Sequence, residues 1–92
     1  MKVSLSADQA RALFGIISNP KSLMQGKPAR VCRRLVVKFN LRDDNKPGGA
    51  GDLNADELEV LRQMDEQSQR SLAVEEVIGP FFDTIRAKET KT

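Results

Sequence analysis

The chain has 92 residues, enough for one modest hydrophobic core and too few for two. Hydrophobic residues make up 39% and charged residues 30%, an ordinary composition for a folded domain that excludes the pattern of a disordered chain. Apolar runs such as "LVV" at 35–37 are far too short to span a membrane, and the start "MKVSLSADQA" lacks the apolar stretch of a secretory signal.

The net charge of +2 conceals a strong asymmetry. Residues 1–42 carry +8, residues 43–66 carry −6, and residues 67–92 balance. Such a layout predicts a surface for a polyanion or an acidic partner, unless the two blocks face each other and cancel. The single cysteine, Cys32, cannot form an intramolecular disulfide. Together with the missing signal, this predicts a reducing, cytoplasmic setting.

Taken in chain order, Ser6 and Gln9 form a capping box that opens a helix over 7–18. Its apolar stripe is Ala10, Leu13, Phe14 and Ile17, and "SNP" at 18–20 ends it. A loop through "KSLMQGK" follows, and Pro28 suits the first turn of a second element over 28–41. As a helix, this element sets Val31, Cys32, Leu35, Val36 and Phe39 opposite Arg30, Arg33, Arg34 and Lys38, with Val37 among the charges. As a strand over 34–42, it alternates Leu35, Val37, Phe39 and Leu41 with Arg34, Val36, Lys38, Asn40 and Arg42 and would pair with residues 2–5. Its length favours the helix.

Residues 43–53 read as a Gly/Asp-rich loop, followed by a helix over 54–67. The stretch "GDLNADEL" resembles the second half of an EF-hand calcium loop, with Gly51 as the turn glycine and Glu57 as the bidentate twelfth ligand. Counting back, the first, third and fifth positions are Lys46, Gly48 and Ala50, none with a side-chain ligand oxygen. A helix start explains the same residues better. Asn54 and Glu57 form a capping box, Leu53 and Leu58 a hydrophobic staple, and Asp56, Glu57 and Glu59 favour the positive end of the helix dipole. Ser71 caps a fourth helix over 72–87, with a core stripe of Val74, Val77, Ile78, Phe81 and Ile85. Pro80 lies inside that stripe and predicts a kink or short break, and residues 87–92 read as a frayed tail.

The expected fold is therefore a mostly α, single-domain bundle of about four helices spanning 1–92. The alternative is α+β, with 34–42 as a strand.

Chemistry is bounded by what the chain lacks. There is no His, Tyr or Trp, which removes the commonest general base near neutral pH and the commonest metal ligand. No phosphate-binding loop lysine, nucleophile elbow or dinucleotide glycine pattern occurs, and Cys32 reads as a small core residue. The expectation is a non-enzyme with no cofactor, no metal site and no small-molecule substrate.

The candidate binding residues are Lys27, Arg30, Arg33, Arg34, Lys38 and Arg42, extended by Lys21, since arginine's planar fork suits phosphate oxygens. They point to nucleic acid or a nucleoprotein complex. Residues 19–27 make too long a turn for a helix-turn-helix, and the phenylalanines sit on core stripes rather than on base-stacking platforms. A second reading is a protein-binding inhibitor that uses its basic face on an acidic protein surface, or its acidic face (Asp52, Asp56, Glu59, Asp65, Glu66) as a phosphate mimic. Small phage-encoded blockers such as anti-CRISPR proteins share that economy, although no motif links them to this chain. A third is an assembly subunit with an apolar contact at Phe81 and Phe82.

Overall fold

A computed structural model describes residues 1–18, 27–67 and 70–89, and of 27, 28, 88 and 89 only the backbone. The elements run β1 (Lys2–Leu5), α1 (Ala7–Ser18), α2 (Lys27–Lys38), β2 (Gly49–Asp52), α3 (Ala55–Gln67) and α4 (Leu72–Glu89). The fold is mostly helical with a small sheet. Residues 19–26 of the expected loop and the end of the tail, 90–92, lie outside the described residues, whereas Lys27 already belongs to α2 and 87–89 belong to α4.

The helix starts follow their local signals. Ser6 N–H donates to Gln9 Oε1 at 3.0 Å, and Gln9 N–H donates back to Ser6 Oγ at 3.1 Å. Asn54 and Glu57 make the same reciprocal pair, both bonds at 2.9 Å, and Val74 N–H donates to Ser71 Oγ at 3.3 Å. Each bond satisfies a backbone donor that the first helical turn leaves without a partner.

The expected end of α2 shifts from residue 41 to Lys38. Asn40 adopts φ 51°, its N–H donates to the Val37 carbonyl at 3.3 Å, and Leu41 N–H donates to the Val36 carbonyl at 2.9 Å. This is a Schellman ending, in which a left-handed residue turns the chain and returns an apolar side chain to the helix. Leu41 is accordingly buried and Val36 packs against the core. That turn excludes the alternative of a strand over 34–42.

Residues 2–5 are nonetheless a strand, and their partner is 49–52, inside the stretch expected to be a loop. The pairing is antiparallel, from Lys2 opposite Asp52 to Leu5 opposite Gly49. Met1 and Leu53 exchange both backbone bonds, at 3.0 and 2.8 Å, and extend the ladder by one pair. Val3 and Leu5 point inward and are buried. Gly51 allows close approach from outside the sheet, because a Cβ there would lie 3.1 Å from the Phe39 ring and 3.2 Å from Lys38 Cγ.

The core joins α1 to α4, α4 to α3 and α3 to α2. Leu13, Leu35, Phe39, Leu61 and Ile78 are fully enclosed, each burial contributing about 1.5–3 kcal/mol before entropy is counted. Of the two residues of the expected staple, Leu53 is buried and Leu58 packs against the core. The helix α4 is continuous through Pro80, so of the expected kink or short break the break does not occur. Pro80 and Glu76 are both exposed, so the Glu76 carbonyl that loses its donor lies on the side open to water. Phe81 and Phe82 are 4% and 1% exposed, which removes them as a contact surface. Among the described residues, no helix is long and apolar enough to cross a membrane.

Candidate nucleic-acid interface

The amphipathic pattern of α2 decides which of its residues reach the surface. Val31, Cys32, Leu35 and Phe39 are buried, which turns Arg30, Arg33, Arg34 and Val37 outward. At 3.6 residues per turn these four occupy an arc of roughly 100°. All three arginines are exposed, and Arg42 is exposed just beyond the Schellman turn. Among the described residues, Arg30, Arg33, Arg34 and Arg42 have no ion-pair partner. Val37 sits within the arginine arc and is 76% exposed. Lys27 begins α2, and its side chain and Lys21 lie outside the described residues.

Lys38 goes elsewhere. Its Nζ donates to Glu57 Oε1 at 2.7 Å and Oε2 at 2.8 Å, and to the Asp52 carbonyl at 2.6 Å. Its three ammonium donors are thus engaged, and the side chain keeps only 32% of its exposure while Glu57 keeps none. Lys38 therefore joins the basic block to the acidic one. The half-motif of a calcium loop finds its explanation here too. Glu57 does bind a cation through both oxygens, and the cation is the ammonium of Lys38. Among the described residues, no group of three or more His, Cys, Asp or Glu side chains is placed to hold a metal ion.

Several acids are committed to partners away from the arginine arc. Asp43 Oδ1 accepts from the backbone N–H groups of Asn45 at 2.8 Å and Lys46 at 3.2 Å, and those bonds hold its carboxyl below the ordinary carboxylate value. Asp65 accepts from Arg70 Nη2 at 2.9 Å and pairs with Arg86 Nε at 3.1 Å. Arg70 also donates to Glu75 at 2.5 Å and lies 5.0 Å from the Phe82 ring centre. Burial works against its charge, but the bonds to Asp65 and Glu75 more than offset this and raise its pKa. A phosphate-mimic surface built on the acidic block consequently loses Asp65.

Beside the arginine arc, a groove of about 490 Å³ opens between α1 and α2. Among its lining residues are Phe14 and Ile17 from α1, Cys32, Arg33 and Val36 from α2, and Arg42 beyond it. Phe14, Ile17 and Val36 are only partly buried. Cys32 is buried, and burial pushes its thiol pKa up, away from the reactive thiolate. The sequence placed Phe14 on a core stripe. Its half-open position follows from the separation of α1 and α2 at this point, a tertiary feature without a local signal. No family model, curated protein or solved structure matches this chain.

Proposed function

We propose that this is a non-enzymatic protein of the cell interior that binds nucleic acid, alone or within a nucleoprotein complex, through the arginine arc of α2 and Arg42. The observation that carries this reading is the unpaired state of the four arginines among the described residues, although the acidic helix α3 packs directly against α2. Within the acidic block, Glu57 binds Lys38, Asp65 binds Arg70 and Arg86, and Asp43 binds its own loop backbone. Unpaired guanidinium groups at spacings of three and four residues suit successive phosphates, because each fork donates two parallel hydrogen bonds.

Fluorescence anisotropy with labelled DNA and RNA tests the reading at two salt concentrations. Three or four phosphate contacts predict a loss of affinity of roughly 40- to 150-fold between about 50 and 200 mM salt. Arg30→Ala or Arg34→Ala should weaken binding to all sequences and lower the salt slope by about one. Absence of binding at the lower salt would sink it.

Exposed Val37 favours a second reading, a blocker that docks on an acidic protein surface. An apolar centre ringed by arginines resembles the core and rim of a protein interface. Here Val37→Ser would abolish docking, whereas contacts to phosphate alone would leave oligonucleotide affinity unchanged by that substitution.

A further inference from the structure

The groove beside the arginine arc combines features that the arc alone does not need. Of the chain's four phenylalanines, Phe39, Phe81 and Phe82 are enclosed in the core, and only Phe14 is partly open, at the groove wall. The groove's volume of about 490 Å³ falls within the range of small-ligand sites, roughly 300–1,000 Å³. Its interior is apolar at Ile17 and Val36, and among the described residues its charged lining is Arg33 and Arg42, both cations without an ion-pair partner. Arg30 and Arg34 continue the positive charge along α2 past the groove. A single carboxylate headgroup would use one or two of these cations, whereas a chain of phosphates uses them all.

We propose that this groove takes one unpaired base of a single-stranded nucleic acid, stacked on Phe14, with the flanking phosphates on Arg33 and Arg42. The inference rests on the nucleic-acid reading above and narrows it from any polyanion to single strands. A duplex keeps its bases stacked inside and offers only phosphates to the arc. Stacking on an aromatic ring is indifferent to sequence, so binding should be strand-specific without being base-specific.

The test compares three labelled probes of equal length at about 50 mM salt: a single strand without secondary structure, the same backbone with abasic positions throughout, and the duplex. The single strand should bind at least about five-fold more tightly than the abasic backbone, in line with the stacking contribution of one base. Phe14→Leu, checked for folding by thermal unfolding, should remove that difference and leave abasic and duplex affinities unchanged. Equal binding of all three probes by the native protein would overturn the groove proposal while leaving phosphate binding by the arc intact. No binding of any probe would overturn both. Amide shifts around the groove on adding dodecanoate, with none on adding the strand, would assign the groove to a small apolar acid and also overturn the proposal.

Discussion

Lys38 and Glu57 stand 19 residues apart, yet the ammonium of one is held between both carboxylate oxygens of the other, at 2.7 and 2.8 Å. The contact does three things at once. It neutralises a carboxylate with no exposure, it ties the end of α2 to the start of α3, and it covers the outer edge of β2 through the Asp52 carbonyl. Because Met1–Leu53 is a pair that exchanges both backbone bonds, the alternation of an antiparallel ladder turns the carbonyl of Asp52 outward. A lysine on an exposed strand edge is a known obstacle to further strand pairing.

Lys38→Met should therefore destabilise the fold well beyond the loss of a surface charge. Removing one member of a buried pair costs about 3–5 kcal/mol, and the partial exposure of Lys38 lowers the expectation to about 2–3 kcal/mol. Glu57→Gln keeps an acceptor for the Asn54 N–H and removes the stranded charge, so the double variant should recover about half of the loss. Urea unfolding of both variants checks this. A midpoint for Lys38→Met no lower than that of Arg33→Met would show that water already solvates Glu57.

This pair also marks how far the sequence could be read. Helix starts at Ser6, Asn54 and Ser71 were legible because a cap and its partner lie within three residues. The outward face of α2 was legible from apolar spacing. Helical phase places Lys38 near the arginines, and nothing local indicates that a buried carboxylate 19 residues on will claim it. The strand 49–52 was hidden because "GAGD" has no alternating side chains, and it exists through backbone bonds to residues 2–5. The Schellman ending at Asn40 and Leu41 did have a signal, an asparagine followed by an apolar residue. It was masked by the apolar pattern running on through Leu41.

Gly48 and Gly49 separate backbone strain from steric collision. Both have positive φ, 96° and 119°, which is costly for any residue with a Cβ. At Gly48 a Cβ would also lie 2.6 Å from the Leu5 carbonyl oxygen and 2.9 Å from that of Ser6, whereas at Gly49 it would meet nothing within 4 Å. Gly48→Ala should cost about 2–3 kcal/mol and Gly49→Ala about 1 kcal/mol. Equal losses in thermal or urea unfolding would mean that the Leu5–Ser6 backbone yields freely.

Asp43 supplies a pH dependence with a definite sign. Its carboxylate form accepts two backbone hydrogen bonds, so its folded pKa lies below the ordinary 3.8. A depressed carboxyl contributes stability that is fully present above pH 3.8 and is lost as pH falls through the folded value. Asp43→Asn retains a side-chain acceptor for the loop and removes the titration, so stability should fall less steeply with acid in the variant. Carboxyl carbon shifts in an NMR titration give the midpoint directly, and a midpoint at or above 3.8 would contradict the bonding seen.

Arg70 allows proximity and burial to be weighed against each other. Its bond to Glu75 is the shorter, 2.5 against 2.9 Å, but the Glu75 side chain is 44% exposed and that of Asp65 only 8%. Water screens the first pair far more than the second, so a double-mutant cycle should give a larger coupling for Arg70–Asp65 than for Arg70–Glu75. Arg70→Lys keeps the charge, loses the planar fork and the stacking over Phe82, and should cost about 1–2 kcal/mol. Because this cluster joins α3 and α4, away from the arginine arc, the same variant should bind oligonucleotides with native affinity while unfolding earlier. A parallel loss of both would mean that the arc's geometry depends on the α3–α4 junction.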